Sequence, residues 1–146
     1  MNYTITKNEY TISTDKNKID TRYVYGFLTE SYWSPGISFQ KVNKGIEGAL
    51  SFGIYSREQQ IGFARMITDQ TSFAYLADVF IDDKFRGKGL GKWFVETILA
   101  HPGLQGLRRI LLATRDAHKL YEQFGFTPLP NPDRFMVYNP TVNKNK

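Results

Sequence analysis

The spacing of apolar residues predicts two helices in the first third of the chain. Residues 20–31 carry apolar side chains at helical spacing, and Asp20 precedes them as a candidate N-cap. Residues 40–50 show the same spacing. Pro35 and Gly36 lie between the two patterns and indicate a loop. We therefore expect two short helices joined by a loop rather than one long helix.

The middle of the chain changes to the composition of strands. Residues 52–56, 60–68 and 71–81 are rich in aromatic and β-branched side chains. After a glycine-rich loop, residues 90–98 return to the spacing of an amphipathic helix, and RILLA at 109–113 has the apolar run of a buried strand. The order strand, loop, helix, strand predicts a parallel crossover and a mixed α and β fold.

The last quarter predicts one more helix and final strands. Asp116 is the candidate N-cap of a helix that Gly125 ends. On this helix Tyr121 belongs to the apolar face. Phe126 and the segment RFMVY at 134–138 have the composition of strands.

Composition narrows the class of protein. The 146 residues carry a formal charge of +5, no cysteine and 15% aromatic side chains. Without cysteine there is neither a disulfide framework nor thiolate chemistry, and the aromatic content argues against disorder. The length predicts one domain over residues 1–140, followed by a polar tail over 141–146. No apolar run has the length of a membrane span or a signal peptide, so we expect a cytoplasmic protein that binds no membrane.

The loop DDKFRGKGLGKW, from Asp82 to Trp93, combines three glycines with four cations directly before a helix. A helix start offers unpaired N–H groups, and glycine lets a ligand approach the backbone. The loop is therefore expected to hold an anion. The P-loop pattern is excluded because Trp93 stands where a hydroxyl must bind magnesium, and the dinucleotide pattern is excluded because the glycine spacing is wrong.

Arg86, Gly89 and Gly91 form R-x-x-G-x-G, and in this the sequence resembles the GNAT acetyltransferases. A second segment, AHKLYEQFGF at 117–126, resembles that family's A-x-x-L-Y-x-x-x-G-F. The resemblance implies a central, mostly antiparallel mixed sheet flanked by helices on both faces. It also implies an enzyme that transfers an acetyl group from acetyl-CoA to a primary amine of a small molecule or peptide, by direct attack in a ternary complex.

The same resemblance assigns the coenzyme site. The loop amides are expected to bind the pyrophosphate of acetyl-CoA, and the preceding strand is expected to pair with its pantetheine arm. Thr114 stands where many family members have asparagine, which is a departure from the pattern. The implied coenzyme residues are Val79, Phe80, Ile81, Arg86, Gly87, Lys88, Gly89, Leu90, Gly91, Lys92 and Thr114.

Two residues are the catalytic candidates. Tyr121 matches the tyrosine that often acts as general acid in this family, although its spacing also fits a core aromatic. Asp78 interrupts an apolar strand, where simple alternation places it with Leu76 and Phe80. It is either a base or amine anchor, or a structural partner of an arginine such as Arg65.

The sequence defines the acceptor site less well than the coenzyme site. Trp33, Tyr75 and Asp78 are its candidate residues, although a tryptophan such as Trp33 more often serves simple packing. A catalytically silent sensor that binds acyl-CoA stays open as an alternative function. Nucleic-acid binding is not expected, because Trp93 and Phe94 fall on the apolar face of their helix rather than between exposed cations. No metal site is expected, and dimers are common in the family, which leaves a homodimer open.

Overall fold

The computed structural model describes residues 1–140, and the predicted tail at 141–146 lies outside the described residues. The chain forms two compact units, residues 1–113 and the part from residue 114 onward. The first unit holds six strands: β1 Thr4–Lys7, β2 Tyr10–Ser13, β3 Leu50–Ser56, β4 Gln59–Thr68, β5 Phe73–Ile81 and β6 Arg109–Leu112. Its helices are α1 Thr21–Leu28, α2 Phe39–Gly48 and α3 Leu90–Leu99, and the second unit holds α4 His118–Glu122.

The six strands form one sheet in the order β1-β2-β3-β4-β5-β6. Neighbouring strands from β1 to β5 are antiparallel, and β5 pairs with β6 in parallel. Helix α3 connects these two parallel strands, which confirms the predicted crossover. The mixed, mostly antiparallel sheet expected from the sequence is therefore present.

Helices α1 and α2 cover one face of the sheet. Their buried side chains pack with Phe63 of β4 and Phe80 of β5, which stand opposite each other in the ladder. Asp20 accepts a hydrogen bond from the Tyr23 N–H over 3.1 Å, which confirms the predicted N-cap of α1. The buried residues of α1 and α2 are Val24, Leu28, Val42 and Ile46. Each such side chain contributes about 1.5–3 kcal/mol when fully buried.

The segment that carries α3 lies against the opposite face. Phe52 of β3 stands opposite Ala64, one residue from Phe63, and therefore points away from α1 and α2. Its ring meets His101, which follows α3, with 5.8 Å between ring centroids. The Tyr3 hydroxyl also donates to the Thr97 carbonyl of α3 over 3.4 Å. Helices thus cover both faces, as expected.

The structure adds one element that the sequence did not predict and corrects two predictions. The hairpin of β1 and β2 was not predicted. Helix α4 begins at His118 with Ala117 at the N-cap, so Asp116 does not cap it; Thr114 Oγ1 accepts from the Ala117 N–H over 3.0 Å. The predicted final strands are absent from residues 114–140, where a short 3₁₀ turn at Pro132–Arg134 precedes an irregular segment. A strand needs a neighbour to take its hydrogen bonds, and composition alone does not supply one.

Candidate active site

Strand β5 carries a β-bulge at Asp78. Phe63 pairs with Phe80 and Arg65 pairs with Ala77, so that Ala64 alone faces two residues, Asp78 and Val79. Asp78 has φ +57°, in the left-handed region that residues other than glycine seldom adopt. A backbone held in such a conformation costs on the order of 1–3 kcal/mol. The ladder between β4 and β5 is therefore interrupted beside the predicted site.

The bulge overturns the expected alternation along β5. Arg65 and its partner Ala77 point to one face, and Leu76 points to the other. The carboxylate of Asp78 meets Arg65 and so lies on the side of Ala77. The prediction that Asp78 shares a face with Leu76 was wrong, because the extra residue of the bulge shifts the alternation by one position.

Two donors hold the Asp78 carboxylate. Arg65 Nε donates to Oδ2 over 2.7 Å, and Trp33 Nε1 donates to Oδ1 over 2.8 Å. The Asp78 side chain is 8% exposed and that of Arg65 is 23% exposed. The structure shows the pairing of Asp78 with Arg65, and the role of Asp78 as base or amine anchor stays a prediction. The same contacts bring Trp33, from the loop after α1, onto the central strands.

Aromatic rings lie around this carboxylate. Trp33 is 39% exposed and Tyr32 is 49% exposed, and their rings meet edge to face with 5.1 Å between centroids. Phe27 of α1 lies under Trp33 and stacks on Phe80, with centroids 6.1 and 3.7 Å away. Tyr75 is half-buried and lies two residues before Ala77, on the face of Arg65. All three predicted acceptor residues thus belong to one face of the sheet.

The glycine loop has the backbone that an anion cradle requires. Gly87 and Gly89 have φ +78° and +76°, and Gly89 is the N-cap of α3. A Cβ added at Gly87, Gly89 or Gly91 would meet nothing within 4 Å. The first turn of a helix has N–H groups without intrahelical partners and a partial positive charge. The loop therefore presents open backbone donors directly after β5.

The cations of the loop are exposed, and one of them has a partner in the loop. Arg86 pairs with Asp83 through a contact of 2.9 Å, and both side chains are more than half exposed. Such an exposed pair contributes little to stability and can be exchanged for another anion. Lys88 and Lys92 are exposed as well. The positive field predicted for this loop therefore lies at the surface.

The second unit carries the other two predicted site residues. Tyr121 of α4 is buried, and its ring meets Phe126 edge to face with 5.7 Å between centroids. Thr114 precedes α4 and uses its oxygen to accept the Ala117 N–H. The roles assigned to both residues by resemblance stay predictions.

Sequence reasoning missed one position that shapes the site. Gly45 lies inside α2, where a Cβ would stand 3.2 Å from Arg65 Nη1 and 3.3 Å from Arg65 Cζ. Glycine inside a helix costs roughly 0.5–1 kcal/mol relative to alanine. The signal was a glycine on an otherwise regular helical pattern, which often marks close packing.

A cavity of about 630 Å³ opens elsewhere in residues 1–113, and none of the predicted site residues lines it. His101 is among its lining residues. The Nδ1 of His101 accepts the Gly103 N–H over 2.9 Å, and burial lowers the pKa of the imidazole. Among residues 1–140, no group of three His, Cys, Asp or Glu side chains could hold a metal ion, and no helix is long and apolar enough to cross a membrane.

Residues 47–128 match the family model described as an acetyltransferase (GNAT) domain. A crystal structure of a protein assigned to the same family, from Xanthomonas campestris pv. campestris, is 40% identical; it aligns with a TM-score of 0.87 over 89% of this chain and 92% of that one. A Gibberella zeae protein named as an acetyltransferase is 27% identical over 80% of this chain and 77% of its own.

A third similar structure is a GNAT family acetyltransferase from Elizabethkingia anophelis, which was crystallised with acetyl-CoA bound. It is 15% identical to this chain and has a TM-score of 0.63 over 85% of this chain and 80% of its own. At that identity the likeness concerns the fold alone.

Proposed function

Because the chain belongs to the GNAT acetyltransferase family, we propose that it transfers an acetyl group from acetyl-CoA to a primary amine by direct attack in a ternary complex. The observation that carries this proposal is the start of α3, where Gly87 and Gly89 open the backbone next to unpaired N–H groups. This cradle suits a pyrophosphate. The family uses acetyl-CoA, and the Elizabethkingia protein binds it.

The residues that would hold acetyl-CoA follow the chain from β5 into α3. We assign the pyrophosphate to the loop from Arg86 to Lys92, which includes Gly87, Lys88, Gly89, Leu90 and Gly91. Arg86 would leave Asp83 for the phosphates, since their pairing is exposed. Val79, Phe80 and Ile81 would pair with the pantetheine arm, because β6 pairs with β5 only from Phe73 to Leu76 and so leaves that edge of the later segment without a neighbouring strand among residues 1–140. The Thr114 hydroxyl would donate a hydrogen bond to the coenzyme, since its oxygen already accepts one from the Ala117 N–H.

The reaction joins the amine nitrogen to the thioester carbon and breaks the carbon–sulfur bond. The amine loses one proton to water or a base, and the leaving thiolate takes one from an acid. We assign the second proton to the hydroxyl of Tyr121. We assign the polarisation of the thioester oxygen to a backbone N–H of Val79 or Phe80.

In this proposal Asp78 fixes the acceptor side of the site and does not act as the base. Each of its oxygens accepts a hydrogen bond from a fixed side chain, Arg65 or Trp33, so the carboxylate is held rather than free to turn toward a substrate proton. Trp33 and Tyr75 would contact the acceptor from the same face. A homodimer and a cytoplasmic location stay predictions from sequence.

Thiol release from acetyl-CoA, measured across a panel of amines, amino acids, polyamines and short peptides, tests the proposal. Turnover with any amine, confirmed by the mass of the amide, supports the transferase. Acetyl-CoA that raises the melting temperature without turnover would indicate the silent sensor instead. If acetyl-CoA neither stabilises the protein nor reacts, both assignments fail, because they share the cradle before α3.

A further inference from the structure

We propose that the acceptor is an amine that also carries a carboxylate, and that Arg65 binds this carboxylate. The inference rests on the proposed function and deepens it, because it names the chemical class of the acceptor. It is carried by the setting of Arg65, which lies between α2, the bulge of β5 and the aromatic loop after α1.

The guanidinium of Arg65 is hydrogen-bonded at Nε, whereas Nη1 and Nη2 have no hydrogen-bond acceptor among residues 1–140. Its Nε donates to Asp78 Oδ2 over 2.7 Å, and this contact sets the plane of the group. Four N–H donors remain on Nη1 and Nη2, and within the part of the chain that the structure describes no oxygen accepts from them. The side chain is 23% exposed, so part of it reaches solvent. Two parallel N–H donors match the two oxygens of a carboxylate.

Helix α2 packs closely on the same guanidinium, and only a glycine fits at the contact. The glycine at position 45 stands over the guanidinium, and an alanine Cβ there would lie 3.2 Å from Nη1. This is closer than an ordinary contact, so alanine would displace the group or cover it. Lys41 lies one turn earlier on the face of α2 that carries Gly45. Lys41 adds a positive charge to this face of α2, which favours an anion.

The position of the bulge sets the spacing between the two groups of the acceptor. Asp78 holds Arg65, and the next residue, Val79, belongs to the segment assigned to the thioester. Consecutive Cα atoms are about 3.8 Å apart, so the residue that holds Arg65 and the proposed thioester segment are neighbours on β5. We therefore take an α-amino acid, whose amine and carboxylate share one carbon, as the acceptor class to test. The exposed rings of Tyr32 and Trp33 add an apolar wall for its side chain.

Matched pairs of acceptors that differ only in the carboxylate test the inference. Thiol release would be measured for L-phenylalanine against phenethylamine, L-tryptophan against tryptamine, and L-leucine against isopentylamine. We expect kcat/KM to be about 10- to 100-fold higher for the amino acid of at least one pair, the range that charge-assisted hydrogen bonds provide. In Arg65→Gln this advantage should disappear, and Arg65→Lys, which keeps a charge beside Asp78, should lose most of it.

Gly45→Ala and Gly48→Ala are the matched helix variants. A Cβ at Gly48, in the same helix, meets nothing within 4 Å. We expect Gly45→Ala to reduce the preference for the amino acid and Gly48→Ala to leave it unchanged. A purely structural role of Arg65 would lower activity toward both members of a pair equally, so the ratio separates the two roles.

Equal activity within every pair would overturn the inference and leave the proposed transferase intact. Loss of activity toward both members alike in Arg65→Lys would also overturn it, as would turnover with none of the six acceptors. Failure of the proposed function is recognised separately, by the absence of any melting-temperature shift with acetyl-CoA.

Discussion

The indole N–H of Trp33 donates to Asp78 Oδ1 over 2.8 Å, across 45 positions of the chain. This hydrogen bond ties the loop after α1 to the bulge of β5. With the Arg65 contact on the other oxygen, it fixes a carboxylate whose side chain is 8% exposed. Removing either donor would leave a nearly buried oxygen without its partner, which is costly.

Trp33→Phe is therefore expected to lower the free energy of unfolding by about 1–3 kcal/mol, because it keeps an aromatic ring and deletes the donor to Asp78. The Michaelis constant for the acceptor should rise while acetyl-CoA affinity stays unchanged. Denaturant unfolding and steady-state kinetics measure the two effects. Trp93→Phe is the control, since it removes an indole from α3 without touching Asp78. If both variants change stability and the Michaelis constant equally, the hydrogen bond from Trp33 to Asp78 contributes nothing beyond the loss of an indole.

Gly89→Glu is expected to abolish acetyl-CoA binding. The variant places an anion at the start of α3, where the pyrophosphate is proposed to bind. Because Gly89 has φ +76°, a side chain at this position also adds backbone strain of about 1 kcal/mol or more. Gly106→Glu is the matched control, because Gly106 has φ +78° and equally open surroundings but lies outside the loop. Calorimetric titration with acetyl-CoA should show loss of binding in the first variant alone. Unchanged affinity in Gly89→Glu would remove the cradle assignment.

Tyr121→Phe is expected to lower kcat by about 10²–10⁴-fold, the range of general acid catalysis, with little change in the affinity for acetyl-CoA. The ring and its contact with Phe126 are kept, so the fold should be preserved. Phe126→Leu removes that ring contact and keeps the hydroxyl, and it serves as the packing control. Full activity of Tyr121→Phe would leave Tyr121 as a core aromatic, the alternative that its spacing allows.

Local signals in the sequence predicted much of this fold. The N-cap at Asp20, the start of α3 after the glycines and the crossover from β5 to β6 depend on residues near one another in the chain, so pattern and capping rules suffice. The motif R-x-x-G-x-G likewise indicated the family, which is confirmed by the family model that residues 47–128 match.

Features that depend on pairing between distant segments were missed. The bulge at Asp78 follows from the register of β4 against β5, and its one sequence signal was an acid within an apolar strand. The hairpin of β1 and β2 was missed for a different reason, since its pairing is local and its turn at Asn8, with φ +56°, was overlooked. Conversely, the segment at 135–138 has strand composition but forms no strand among residues 114–140.

His101→Asn is expected to flatten the dependence of stability on pH. Burial lowers the pKa of His101, so the folded protein binds a proton at this imidazole less readily than the unfolded chain does. Its contribution to stability is therefore present above the ordinary histidine pKa of about 6.5 and is lost as pH falls below it. Asparagine keeps an oxygen for the Gly103 N–H but does not titrate. Melting temperatures measured across this range should fall less in the variant than in the parent protein.

Tyr55→Phe is expected to raise the free energy of unfolding by about 1 kcal/mol. The Tyr55 hydroxyl is buried and, within residues 1–140, has no hydrogen-bond partner, and burial raises the pKa of the phenol. Removing an unsatisfied buried group removes its desolvation cost, while the ring keeps its packing. Tyr23→Phe is the matched comparison, because the Tyr23 hydroxyl donates to Asp82 Oδ2 over 3.3 Å and its loss should cost about 1 kcal/mol. Denaturant unfolding should move the two variants in opposite directions. A destabilised Tyr55→Phe would contradict the assignment of an unsatisfied hydroxyl.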